Sequence, residues 1–181
     1  MKVKINGMKK FIYPALLAVV VSLSAFAYFV SDWKVKSDAA SVKFVSSKAD
    51  GEFTGLKAEI QFDKAQPEQA RISATIDATS LKTNFFIKTN HAKDAIGADK
   101  YPTIKFVSTS VAKDGAGYAA KGNLTLKGAT KPAVIHFTFE DKGSEGIFKG
   151  QFKIHPKEFG IDRSGTPDDV EIDLIVPVAK A

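Results

Sequence analysis

No cysteine occurs among the 181 residues, which removes disulfide scaffolds, thiolate zinc sites, cysteine nucleophiles and cysteine-linked lipid anchors together. Histidine is nearly as scarce. Only His91, His136 and His155 are present, none at i, i+4 with another, and there is no HExxH. An imidazole metal centre needs two or three such groups to converge, usually with carboxylates, so scattered histidines read as structural or surface residues. A GxSxG elbow is missing, and Asp162-Arg163-Ser164-Gly165-Thr166 reads as a polar loop rather than a strained strand–helix turn. Glycine-rich loops occur, but none opens a helix in a βαβ unit, so phosphate cradling has no support. These absences point to a protein that is not an enzyme and carries no cofactor or metal.

Acidic charge is missing from residues 1–27, where Lys2, Lys4, Lys9 and Lys10 precede an uncharged apolar run from Phe11 to Val30. A basic start, an apolar middle and the Ala25-Phe26-Ala27 exit read as a secretory signal peptide, residues 1–27, with the mature domain at 28–181. The alternative is an uncleaved anchor, since about 20 apolar residues are enough to span a bilayer. Either way the domain is exported, to the periplasm in a Gram-negative cell or to the outside. The formal net charge of +6 belongs mostly to this segment. With its four lysines set aside, 22 basic residues face 20 acidic ones, so no nucleic-acid partner is indicated.

What is abundant is a period of two. Val42 and Phe44 alternate with Lys43, and Leu56, Ala58, Ile60 and Phe62 alternate with Lys57, Glu59 and Gln61. The same pattern recurs through Ile72–Ile76, Ile104–Phe106, Leu124–Leu126, Ile135–Phe139, Phe148–Ile154 and Val170–Val178. Each run predicts a strand with one apolar and one wet face. Asp114-Gly115-Ala116-Gly117, Lys127-Gly128-Ala129-Thr130 and Asp141-Lys142-Gly143-Ser144 sit where hairpins should turn. Residues 84–100 break the alternation and predict a helical or irregular excursion.

About eight antiparallel strands with one apolar face each can close as a sandwich or as a barrel, and closure removes exposed sheet edges. Fourteen phenylalanines point to an aromatic interior, filled or hollow. Outside it, Asp169, Glu171 and Asp173 form an acidic stripe at i, i+2, i+4. The stripe reads as a solvated strand face opposed by Lys149, Gln151 and Lys153, with pair energies of about 0.2–1 kcal/mol.

Several segments carry a family resemblance. Ser80-Leu81-Lys82-Thr83, His91, Tyr101-Pro102-Thr103-Ile104-Lys105-Phe106, the run Gly122 to Lys131, and Phe159-Gly160-Ile161 resemble the YceI-like family. Trp33 and the Gly51 to Gly55 stretch fit the same family's opening, so the likeness spans roughly residues 32–179. Lys88 and Ala92 stand where the family commonly carries arginine and leucine. The resemblance implies a lipocalin-like closed antiparallel β-barrel of about eight strands, with one short helical excursion. It also implies an elongated apolar cavity that binds polyisoprenoid or other long-chain amphiphilic lipids.

On that reading the expected lining is Phe44, Ile60, Ile76, Ile104, Phe106, Leu124, Leu126, Phe148, Phe152, Ile154 and Leu174. Phe85 and Phe86 are expected to insert at one end as a cap or gate, with Lys88 or His91 near the lipid head group; the alternative is a static plug. The partner is then a lipid, with transient membrane contact compatible with its loading. The alternative function is a periplasmic stress or partner-interaction protein with a filled core. A third option is a hydrolase or isomerase using His91.

Overall fold

Residues with alternating polarity become strands because successive side chains point to opposite sheet faces, and here every apolar set turns inward. The structure is a computed structural model that describes residues 31–181; the expected export segment, residues 1–27, lies outside them. Eleven strands follow in chain order: β1 (Asp32–Val35), β2 (Ser41–Val45), β3 (Asp50–Phe53), β4 (Lys57–Gln61), β5 (Arg71–Asp77), β6 (Lys82–Thr83), β7 (Thr103–Asp114), β8 (Gly117–Leu126), β9 (Ala129–Asp141), β10 (Glu145–Ile154) and β11 (Val170–Lys180). One α-helix, α1 (Phe86–Ile96), lies between β6 and β7, within the expected excursion.

The short strands are halves of longer ones. β1 and β2 follow one another along β11, Val35 opposite Val178 and Ser41 opposite Ile175, on either side of a 3-10 turn at Ser37–Ala39. β3 pairs with β2 while β4 pairs with β1, and β5 and β6 continue the series along β4 and β3. The sheet therefore closes as eight antiparallel ladders, with β1 bridging β11 and β4. It is a barrel, not a sandwich.

The two ends differ. At one, Phe62 is 1% exposed and meets the rings of Tyr118, Phe137, Phe139 and Phe148 edge-on at centroid distances of 4.9, 5.6, 5.3 and 5.4 Å. Trp33 packs edge-on against Phe139, and its indole N–H donates to the Phe62 carbonyl at 2.9 Å. The backbone N–H of Ala181 donates to the Asp32 carbonyl at 3.0 Å at this same closed end. Further along the barrel, rings lie flat on glycines. A methyl on Gly122 would stand 2.7 Å from the Phe106 ring and 2.3 Å from the Val107 carbonyl, and one on Gly51 would stand 2.7 Å from the Phe44 ring. Glycine at these two places holds the aromatic side chains against the wall and leaves the lumen clear.

On the outer face, the acidic stripe meets its expected ladder. Gln151 donates to Asp173 at 2.9 Å, and Lys153 lies 3.4 and 3.7 Å from Asp169 and Glu171. Lys149 departs from the expectation. It faces Ile175 across β11 and pairs instead with Glu140 on β9 at 3.0 Å.

Candidate ligand cavity and its mouth

Beyond the aromatic end the barrel is hollow. A cavity of about 490 Å³ occupies it, within the range of roughly 300–1,000 Å³ usual for ligand sites. The question of a filled or hollow interior thus has a divided answer: filled from Trp33 to Phe148, hollow above. Phe137 and Phe148 serve both parts, as members of the aromatic cluster and as lining of the cavity.

All the strand residues expected to line the lumen do so. Phe44 and Leu174 face it from the β2–β11 side, Ile60, Ile76, Ile104 and Phe106 from β4, β5 and β7, and Leu124, Leu126, Phe148, Phe152 and Ile154 from β8 and β10. They share the lumen because one-residue slips would turn each strand's whole apolar set outward, and the pairings keep every strand in phase.

Lys88 and His91 also reach the cavity, from α1. With Ala92, Ala95 and Ile96 they form an i, i+3, i+4, i+7, i+8 stripe, one face of a helix. Phe85 and Phe86 do not. They are 63% and 78% exposed, and Ile87 is 69% exposed, so the expected cap or plug of inserted phenylalanines is overturned. The reasons differ by position. Phe86 and Ile87 fall outside the helical stripe that begins at Lys88, whereas Phe85 precedes the helix as its extended N-cap and carries its ring beneath the Lys88 ammonium, 5.3 Å away. The start of the helix is pinned in this orientation. Thr83 N–H donates to the Thr89 hydroxyl at 2.9 Å, and the Thr83 hydroxyl donates to the Phe85 carbonyl at 2.8 Å.

The mouth lies between α1, the β2–β3 turn at 46–49 and the loop at 163–167. Lys48, Lys88, His91 and Arg163 are its ionisable groups, and no carboxylate lines the cavity anywhere. Arg163 also braces the rim, its guanidinium donating to the His91 carbonyl at 3.1 Å. Lys48 and Arg163 were not anticipated; nothing in the spacing of a turn and a distant loop signals that they converge.

The remaining histidines stand elsewhere, His136 against Asp114 and His155 against Asp169, both at 2.7 Å on the outer surface. Among the described residues no cluster suits a metal ion, and no helix is long and apolar enough to cross a membrane.

Segments far apart in sequence also meet at this end. The Tyr101 ring covers Gly128, where a methyl would stand 2.6 Å away, and Lys127 donates to the Gly160 carbonyl at 2.9 Å. Lys127 and Gly128 both take positive φ, 52° and 77°, in a two-residue hairpin turn of the type that suits the strand twist. The runs at 101–106, 122–131 and 159–161 are thus parts of one structural joint beside the mouth.

Known proteins share this chain's sequence and shape. Protein YceI of Escherichia coli is 33% identical over 136 residues, 71% of each chain, and a UPF0312 protein of Serratia proteamaculans is 30% identical over 178 residues, 90% of this chain and 93% of that one. The crystal structure of Burkholderia cenocepacia BcnA superposes with a TM-score of 0.74 at 27% identity, over 79% of this chain and 98% of that one. A polyisoprenoid binding domain from Saccharophagus degradans, implicated in plant cell wall breakdown, shares the fold at TM-score 0.62 and 15% identity, over 83% of this chain and 99% of that one. The YceI-like domain itself matches residues 33–177, and the chain belongs to the YceI-like family.

Proposed function

We propose that this protein is an exported, non-enzymatic carrier that holds a polyisoprenoid or other long-chain amphiphilic lipid, tail in the barrel and head at the mouth. The observation that carries this reading is the segregation within the cavity: an apolar lumen, with its charged groups confined to one rim. Hydrocarbon transferred from water into such a lumen gains about 25 cal/mol per Å² of surface buried. The non-directional wall sets few demands on the tail, while Lys48, Lys88 and Arg163 favour an anionic or strongly polar head. The polyisoprenoid binding domain from Saccharophagus degradans, which shares the fold, supports the same ligand class. A filled-core interaction protein has no use for a hollow of this size.

The test is native purification, solvent extraction and mass spectrometry, followed by reloading with a synthetic long-chain isoprenyl phosphate. Recovery of a long-chain amphiphile at up to one per barrel, or saturable uptake of the added one, is expected. Well-folded protein that yields no lipid and takes up none overturns the proposal.

A further inference from the structure

Seven large apolar side chains are substantially exposed among the described residues, and three of them are consecutive: Phe85, Phe86 and Ile87. The other four, Val45, Val107, Val134 and Ile175, stand singly on outward strand positions, and isolated residues of that kind are ordinary. The triplet is different in chemistry, containing both exposed phenylalanines, and in place, at the start of α1 on the rim of the mouth. It is also held outward. The Thr83–Thr89 pair, with the Thr83 hydroxyl on the Phe85 carbonyl, fixes the first turn so that these side chains project while Lys88 and His91 face the cavity.

Charge around the triplet identifies what it meets. Between Asp77 and Asp94 the chain carries Lys82, Lys88 and Lys93 and no acid. Lys82 faces Glu52 across the β3–β6 pairing, and Asn84 reaches Asp50 at 3.4 Å, so the acids of the neighbourhood lie on the β3 side. Toward the mouth the ionisable groups are Lys48, Lys88, His91 and Arg163, with no carboxylate among the lining residues. An apolar tip bordered by cations suits the interface of an anionic bilayer, where aromatic and aliphatic side chains enter the acyl boundary and lysines remain at the headgroups.

We infer that Phe85-Phe86-Ile87 is a membrane-docking tip that sets the cavity mouth against an anionic lipid surface. Docking there brings the lumen and the hydrocarbon layer into register, so a long apolar molecule passes between them without crossing water. The tip is a property of the outer rim, and its binding to vesicles is measurable whether or not the cavity carries cargo. A failure of the carrier reading and a failure of this one are therefore distinguishable.

The test uses the mature protein and vesicles of phosphatidylethanolamine with phosphatidylglycerol, 3:1, read by sedimentation. A Phe86→Trp variant adds a fluorescence readout, because Trp33 is buried at the opposite end. Expected results are partition of the parent onto the vesicles, a blue shift of the new tryptophan, and weaker binding in high salt. The Phe85→Ser/Phe86→Ser double variant should partition at least about tenfold less, as the loss of two inserted aromatic side chains requires. Ile175→Ser, on the barrel wall, should stay within about twofold of the parent. Unchanged thermal melting of each variant excludes loss of fold. The inference is overturned if the parent does not partition, if the double variant partitions as the parent does, or if the triplet instead mediates self-association. The last outcome would appear as a concentration-dependent dimer that the double variant abolishes, with no vesicle binding by either protein.

Discussion

Phe62→Leu and Phe152→Leu remove the same ring from opposite parts of one barrel, and the structure assigns them very different costs. Phe62 is 1% exposed and makes four edge-on ring contacts between 4.9 and 5.6 Å. Leucine keeps most of the apolar burial, so the loss is chiefly those ring pairs, each worth about 0.5–1.5 kcal/mol beyond area. Such terms are not additive among neighbours, and about 2–4 kcal/mol is expected in total. That corresponds to a fall in melting temperature of roughly 5–15 °C for a domain of this size. Phe152 lines the open lumen and has no aromatic partner among the described ring pairs. Its replacement by leucine is an ordinary apolar swap costing less than about 1.5 kcal/mol. Urea unfolding at constant m-value measures both. The protein must first be stripped of lipid, because a bound ligand stabilises by mass action and would mask the difference. If Phe152→Leu costs as much as Phe62→Leu, the division into a packed end and a hollow end is wrong.

Three further outcomes follow from the same geometry. Ala74→Trp, from a partly buried position on the lumen wall, should abolish most lipid uptake while shifting stability by no more than about 1–3 kcal/mol, checked by reloading and by unfolding. Arg163→Met should weaken binding of an anionic amphiphile several-fold, about 3–10-fold, and leave a neutral-headed one nearly unchanged, with the difference shrinking in salt. Glu140, Asp141 and Glu145 are held below their ordinary carboxylate pKa values, chiefly by hydrogen bonds from Lys149, Lys64 and Lys36 respectively. A depressed folded-state pKa means stabilisation that is present above the unfolded value and lost as pH falls through the lower, folded one. The unfolding midpoint should therefore decline below about pH 4.5, modestly and less so in salt, because all three groups are exposed.

Strand phase was legible because it has only two settings. In β4 the charged residues Lys57 and Glu59 could face only water, which committed Ala58 and Ile60 to the lumen, and the same argument held for each long strand. The eight-ladder closure was less legible, since β1, β3 and β6 are too short to announce themselves, and β1 and β3 continue into β2 and β4 through breaks at Ser37–Ala39 and residues 54–56. Phe85 and Phe86 misled for a physical reason. Three adjacent apolar residues were assigned to an interior, whereas the helix starts only after the extended Phe85 and turns its cavity-facing stripe onto Lys88, His91, Ala92, Ala95 and Ile96, away from Phe86 and Ile87. That stripe was present in the spacing, but alanine and histidine do not stand out as apolar. Lys48 and Arg163 could not be placed at all, because only the closed barrel brings the 46–49 turn beside the 163–167 loop.

The bond between Ala181 and Asp32 fixes an orientation for the whole molecule. Both ends of the described chain meet beneath the aromatic cluster, and the mouth opens at the far end. A linker or tag attached at Ala181 holds the barrel by its base and presents the opening outward. The same holds for anything that precedes Ser31. A chain cleaved after Ala27 is free to tip its rim onto any bilayer. A chain still tethered through its N-terminal apolar run would stand with its base toward that bilayer. Strands of 10–13 residues tilted by roughly 40° would then carry the Phe85–Ile87 rim about 30 Å away, facing the opposite surface. In a carrier exported between two facing membranes, as proposed above, retention or removal of that N-terminal segment would decide which of the two the opening can address.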